Sequence, residues 1–417
     1  DNAEYIDYEK IYLSRFKVLR KAFERFAADD VYDAFVSENG YWLEDYALYM
    51  AIKDTLGGIS WSEWPAELKD REEAALNQKR EELAEEIAFY KFQQFMFLKQ
   101  WKALKAYANE KGIRIIGDIP IYVAFDSADT WANPVLFQFD EDNQPKAVAG
   151  CPPDAFSATG QLWGNPLYKW DYHKSTGYAW WLLRLAHVFK LYDTVRIDHF
   201  RGFDEYYSIP FGDQTAERGH WEKGPGMDLF NTVKEKLGDV DVIAEDLGYV
   251  TDSVRELVRD SGFPGMKVLE FAFDSRDSGC ANDYLPHNYP VNSVAYTGTH
   301  DNETLAGWWG SISKDEQKLT REYLCDTYTP EAELNKPLIS LIMRSAAKWC
   351  VIPMQDYLGL DNKCRMNTPS TVGTNWKWRI RKNQLSVKLQ KEIYAVTLRY
   401  GRMNWMEEVE EAADREE

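Results

Sequence analysis

The sequence predicts an α/β protein built on a (β/α)8-type barrel of parallel strands with helical and loop insertions, and two observations carry that prediction. From residue 113 onward short apolar, β-branched runs alternate with helical segments, and three of the runs end in a carboxylate. These acids are Asp198 in TVRIDHFRGF, Glu245 in DVIAEDLGYV and Asp301 in SVAYTGTHDNE. Strands covered on both faces read as continuous apolar runs. In a parallel barrel the C-terminal strand ends hold the chemistry, while the opposite face serves stability. The three acids are therefore expected to converge on one pocket.

Taken in order, residues 14–108 read as helical. Phe16, Leu19, Phe23 and Phe26 fall on one face, and Leu83, Ile87 and Tyr90 lead into the aromatic-rich FQQFMFLKQW. Strands are then expected at Ile113–Ile116, Thr194–Ile197, Asp241–Ala244, Met266–Phe271, Ser293–Thr297 and Cys350–Met354. Helices are expected between them at Tyr178–Leu191, Leu229–Leu237, Ser253–Ser261, Asp315–Tyr323 and Pro337–Trp349, the alternation of a parallel sheet. The division that follows is a mainly helical region over residues 1–110 and a catalytic β/α portion over 111–417. Residues 126–171 read as a substrate loop, too long for an ordinary βα connection and rich in Trp, Pro and Gly.

Composition narrows the partners. A formal net charge of −19 disfavours nucleic acid and anionic membranes, both of which call for Lys and Arg to neutralise phosphates. A neutral substrate fits better. Trp, Tyr and Phe make up 15% of the chain, which suits sugar stacking and ordinary core packing alike. The five cysteines share no CxxC spacing, so neither a disulfide framework nor a structural zinc site is suggested. No apolar run reaches membrane-spanning length and no leader pattern opens the chain, so a cytoplasmic location is expected.

Three carboxylates at strand ends leave few chemistries. His199 and His300 flank Asp198 and Asp301, but no HxH or HExxH spacing accompanies them, and neighbouring strand residues point to opposite faces. No metal is expected. Glycosyl transfer needs only the acids: one attacks the anomeric carbon while another, kept protonated, gives its proton to the leaving oxygen. No cofactor is required.

The motifs VRIDHFRGF, VIAEDLG and YTGTHDNET resemble those of the amylomaltase, or disproportionating-enzyme, family of 4-α-glucanotransferases, relatives of the α-amylases. GDIPIYVAFDSADTWANP, PPDAFSATGQLWGNPLY, KGPGMDLF, GFPGMKVLEFAF, IPMQDYLGL and RMNTP…NWKWR follow in that family's order. The resemblance implies cleavage of an α-1,4-glucosidic bond with retention and transfer of the glucan to the 4-hydroxyl of a glucose or glucan acceptor. It makes Asp198 the nucleophile, Glu245 the general acid/base and Asp301 the transition-state stabiliser. Asp118, Asp154, Phe156, Gln161, Trp163, Arg196, His300 and Asn367 become substrate contacts. Asp246 beside Glu245 is a rival for the acid on spacing alone, and the resemblance favours Glu245.

Two departures stand out. Ala155 occupies a position that is often aromatic in the family, and no Ser-Pro-Tyr segment of the donor site precedes Asp1. The six readable strands correspond to the third to eighth of the family's barrel. An open barrel with free edges at the strands read at Ile113–Ile116 and Cys350–Met354 is therefore expected, with little transfer activity from this chain alone. An α-glucan hydrolase and a non-turning glucan binder are the alternatives. Oligomeric state is not legible.

Overall fold

The computed structural model describes residues 4–153, 157–248, 250–275 and 281–403. It divides into two compact units, one of Tyr12–Phe263 and one of Asp1–Ile11 with Pro264–Glu417. Ten strands occur among the described residues: β1 (Ile116–Pro120), β2 (Ala147–Cys151), β3 (Gln161–Pro166), β4 (Thr194–Asp198), β5 (Glu205–Pro210), β6 (His220–Lys223), β7 (Val242–Ala244), β8 (Gly265–Val268), β9 (Ser293–Tyr296) and β10 (Trp349–Val351).

In the unit of Tyr12–Phe263, long helices Asp30–Thr55 and Ala84–Glu110 dominate the first part. Asp29 starts the first of them by accepting the Tyr32 N–H at 2.9 Å. The aromatic periodicity is used for packing: Phe23 lies on Phe89 and Phe92, and Phe26 on Phe92 and Phe95. Three parallel strands follow in the order β1-β4-β7, with Asp118 in register with Arg196 and Ile197 with Ala244. β4 is buried almost throughout, Arg196 included, and Val195 and Ile197 supply its apolar face. β1 alternates instead, burying Gly117 and Ile119 and exposing Asp118. Gly117 is fixed by contact, since a Cβ there would sit 2.1 Å from the Tyr192 ring.

The first strand therefore begins at Ile116, not at Ile113. At Ile113 the backbone is still closing the preceding helix, its N–H donating to Ala108 O at 2.9 Å behind Gly112 in the left-handed region. Residues 126–171 also depart from the expected loop. Helix Ala128–Ala132 comes first, and β2 and β3 then join β5 and β6 in an antiparallel sheet of order β3-β2-β5-β6. Trp131 is buried with its indole N–H on Leu68 O, and Trp170 stacks on Trp181, so both pack the fold.

In the other unit β8, β9 and β10 run parallel, β9 in the middle. The strand expected at Met266–Phe271 ends at Val268, and Leu269–Phe273 coils into a 3-10 helix. The Glu270 N–H reaches Thr297 O there, and Leu269, Ala272 and Phe273 are all buried by the tighter winding. The run expected at Cys350–Met354 likewise stops at Val351, because Pro353 cannot donate to a ladder and instead opens helix Met354–Tyr357. Helix Asn335–Met343 ends six residues before the predicted Trp349, capped by Arg344. Six parallel strands are thus present among the described residues, three in each unit, alternating with helices.

Candidate active site

β4 positions the first group of acids. Side chains two apart on a strand share a face, so Arg196 and Asp198 point the same way. The Arg196 Nη2 donates to Asp198 Oδ1 at 2.8 Å, while its Nη1 donates to both Asp118 oxygens at 2.8 Å across the β1–β4 register. The guanidinium is nearly buried, with 9% of its side chain exposed, whereas Asp198 keeps 46%. Burial works against the Arg196 charge, but Asp118, Asp198 and Glu245 outweigh it and hold its pKa above the usual arginine value.

Just past β4 the chain turns sharply: His199 is left-handed at φ 55°. That turn aims two backbone N–H groups at the end of β7. His199 N–H donates to Glu245 Oε2 at 2.7 Å, and Phe200 N–H donates to Glu245 O at 3.0 Å. Glu245 Oε1 accepts the Leu247 N–H at 2.8 Å. Burial pushes the Glu245 carboxyl up to about 7, and the Asp198 charge adds to it; Arg196 and the two N–H donors pull the other way without cancelling it. Two neighbouring carboxyls thus have different surroundings, one paired with a guanidinium, the other part-buried and held by backbone N–H groups. The His199 ring is held down to about 3 by burial and by Arg201, so it is neutral.

Trp163 on β3 stands edge-on to the His199 ring at 4.8 Å between centroids and keeps 37% of its surface exposed. Its indole N–H donates to Gln161 Oε1 at 3.1 Å, so the two predicted sugar contacts are coupled. Asp118, Arg196, Asp198, Glu245 and Trp163 are therefore neighbours or one ring removed from each other. Asp154 and Phe156 lie outside the described residues.

In the second unit the turn after β9 carries His300 and Asp301. Asn367 Nδ2 donates to Asp301 Oδ1, Arg365 donates to Asp301 O, and His300 Nε2 lies 3.5 Å from Asp301 Oδ2. Asn367 N–H also holds His300 O at 3.0 Å, and the His300 ring packs on Trp376. Asp301, His300 and Asn367 form one cluster. Arg365 and Trp376 were not singled out from the sequence, although both lie in the RMNTP…NWKWR stretch. The N–H groups of His199 and Leu247 were also missed, since backbone donors leave no trace in residue type. Among the described residues no group of three His, Cys, Asp or Glu side chains is arranged to hold a metal ion. No described helix is long and apolar enough to cross a membrane.

These motifs have relatives. The family model described as 4-alpha-glucanotransferase, glycoside hydrolase family 77, matches residues 1–385. The chain is 47% identical over 406 residues to the 4-alpha-glucanotransferase of Clostridium butyricum, covering 96% of this chain and 82% of that one. The chain belongs to the 4-α-glucanotransferase family. The potato chloroplastic/amyloplastic 4-alpha-glucanotransferase is 43% identical over 87% of this chain and 62% of its own length. Among solved structures, the amylomaltase from Streptococcus agalactiae in complex with acarbose superposes with a TM-score of 0.92 at 41% identity, over 97% of this chain and 82% of that one. The protein is a 4-α-glucanotransferase, and its parallel strands and helices follow the amylomaltase fold.

Proposed function

We propose that this glucanotransferase works by retaining double displacement, with Asp198 as nucleophile, Glu245 as general acid/base and Asp301 as stabiliser of the sugar at the transition state. Asp198 attacks the anomeric carbon of an α-1,4-glucan. The C1–O4 bond breaks as Glu245 gives its proton to the departing 4-oxygen, leaving a β-glycosyl ester on Asp198. The incoming 4-hydroxyl of an acceptor then loses its proton to Glu245 as its oxygen attacks C1, and the ester carboxylate is released. Bonds, charge and proton return to their starting state, so no cofactor is consumed.

The observation that carries this reading is the contrast between the two neighbouring carboxyls. The Arg196 ion pair favours the ionised Asp198 that a nucleophile requires. Burial pushes Glu245 up to about 7, where it can both hold and release a proton at neutral pH. Retention calls for these two carboxyls roughly 5 to 5.5 Å apart. Trp163 and Gln161 supply a ring and an amide beside His199 for an acceptor sugar, and Asp118 and Arg196 a charged floor.

The donors and acceptors would be α-1,4-glucans and glucose, in line with the acarbose bound by the Streptococcus agalactiae amylomaltase. The cytoplasmic location and a (β/α)8-type barrel belong to the same proposal. Product analysis on maltotriose tests it. Transfer yields glucose together with longer oligomers whose new linkages are α-configured. Shorter sugars alone would make the enzyme a hydrolase, and unchanged substrate would make the chain a binder.

A further inference from the structure

The chemistry above leaves a second pair of acids unused, and both are more deeply buried than any acid in it. Asp356, on helix Met354–Tyr357, is satisfied: Oδ2 accepts the Thr297 hydroxyl at 2.6 Å and Oδ1 the Leu305 N–H at 2.8 Å. Glu270, in the 3-10 helix after β8, is not. It is 7% exposed, and its Oε1 meets no hydrogen-bond donor among the described residues. What Oε1 meets is the backbone of the turn that carries Asp301. A Cβ on Gly298 would sit 2.7 Å from Glu270 Oε1 and 3.2 Å from its Cδ, so that position tolerates only glycine while the carboxyl stands where it does.

The same turn is fixed from other sides by hydrogen bonds. Glu270 N–H donates to Thr297 O, Thr299 N–H and Oγ1 both donate to Asn302 Oδ1, and Asp301 N–H donates to Thr299 Oγ1. Glu270 thus forms a wedge beneath Gly298, three residues before Asp301. A buried carboxylate oxygen without a donor is costly when charged, whereas the neutral acid costs far less.

We propose that Glu270 is a positioning residue for Asp301, acting as an uncharged carboxylic acid packed under Gly298. The proposal rests on the assignment of Asp301 as the transition-state stabiliser. The charged groups facing Glu270 agree with its neutrality. Burial raises its pKa well above the ordinary carboxylate value, and Asp356 and Glu303 add to the effect. The Arg365 guanidinium and the Glu303 N–H oppose it without reversing it. Glu303 has other duties, its two oxygens accepting from Asn362 Nδ2 and the Ser311 hydroxyl. Arg365 is engaged by Asp301 O and Asn367 O. No cation is therefore dedicated to Glu270 among these groups. Ionising it would push negative charge against Asp356 and Glu303 and loosen the turn.

The variants Glu270→Gln and Glu270→Ala test this in the full chain. Gln keeps the shape and the neutrality, so kcat on maltotriose stays within about twofold of the parent at pH 6. Ala removes the wedge, so kcat falls by about 10- to 100-fold, the scale of a misplacement near 1 Å, with KM little changed. The loss in kcat with KM held is the readout that a mere filler would not move, and stability tests the neutrality separately. An unfolded glutamate has a pKa of about 4.3, and here the folded value lies higher. The parent therefore loses stability as pH rises above about 4.3, and Gln does not. The melting temperature of Glu270→Gln relative to the parent should rise as pH is raised above about 4.3. A difference that stays flat with pH, or a Gln variant as impaired as Ala, overturns the proposal. Asp301→Asn is the control on the reading beneath it. If that variant keeps full turnover, the role given to Asp301 fails, while the pH-dependent melting of Glu270→Gln still reports on Glu270 itself.

Discussion

The two ends of β4 carry one acid each, and the contrast between them separates a structural carboxylate from a chemical one. Asp193, just before the strand, has 17% of its side chain exposed and has its capacity filled: Ile115 N–H at 2.8 Å, Asn109 Nδ2 at 2.9 Å and Lys105 Nζ at 3.2 Å. Burial alone would raise its pKa, but those three partners outweigh it and hold it below the usual carboxylate range. Asp198, at the strand's other end, shares Arg196 with Asp118 and keeps 46% of its side chain exposed. One acid is closed off by donors; the other is charged and left reachable. A buried apolar strand between them keeps the two duties apart, as expected of parallel β/α architectures.

The sharpest way to break this comparison is to neutralise each acid in turn. Asp198→Asn should lower kcat on maltotriose by about 10⁴-fold or more, a loss on the scale expected when the attacking group is removed from an enzyme. Asp193→Asn should leave kcat within a few fold and lower stability instead, by about 1–2 kcal/mol. The sign of its pH dependence follows from the depressed folded-state pKa. Its stabilisation is present above the unfolded pKa of about 3.9 and is lost as pH falls below it. The melting difference between parent and Asp193→Asn should therefore close between about pH 5 and pH 2. Turnover lost in Asp193→Asn and kept in Asp198→Asn would exchange the roles.

Glu245 sharpens the contrast, because it too sits at a strand's C-terminal end yet is held by N–H groups and burial. Glu245→Gln should cost about 10²–10⁴-fold on maltooligosaccharides. The loss should shrink with a donor whose leaving group departs without a proton, such as α-maltosyl fluoride. In the parent, kcat/KM should decline above about pH 7 as the acid loses its proton. A profile flat to pH 9 would remove Glu245 from the role. Arg196→Gln comes next in size. Without its cation Asp198 binds protons more readily, so the acidic limb of kcat/KM should move upward by about 1 unit or more. An acidic limb unmoved in that variant would assign the ionisation of Asp198 to some other cause.

How much of this was legible in the sequence depends on whether a feature is local. β7 reads directly because burial on both faces leaves an unbroken apolar run, and β4 and β9 because buried Val195, Ile197, Val294, Ala295 and Tyr296 mark them. The pairing of Arg196 with Asp198 also reads directly, since it needs only the two-residue period of a strand. The antiparallel sheet was missed because β3 contains Gly164, Asn165 and Pro166 and β6 is His-Trp-Glu-Lys, neither of which has strand composition. Tertiary pairing to β2 and β5 overrode propensity there. Leu269–Phe273 misled in the opposite sense, as an apolar run of strand type wound into a 3-10 turn. The donors to Glu245 are backbone groups delivered by a left-handed His199, and no side-chain pattern encodes them. Glu270 and Asp356 fall inside motifs that were recognised, yet their burial depends on neighbours distant in sequence.

The smallest expected effect concerns Trp163, and it tests whether the open end of β4 extends to the acceptor. Trp163 meets the rings of His199 and Tyr122, with its indole N–H on Gln161 Oε1. Core tryptophans here are far more enclosed: Trp131 and Trp181 are fully buried among other rings. Truncating a core tryptophan costs about 3–5 kcal/mol. Trp163, more than a third exposed, has much less packing to lose. Trp163→Ala should therefore shift the melting midpoint by only a few degrees. Its larger effect should be on the second half-reaction, with the KM for a glucose acceptor rising several-fold while kcat at saturating acceptor changes little. A stacking contact worth about 1 kcal/mol accounts for an effect of that size. Should the midpoint fall sharply while acceptor KM stays put, Trp163 is a packing residue and the sugar-facing surface ends at Asp198.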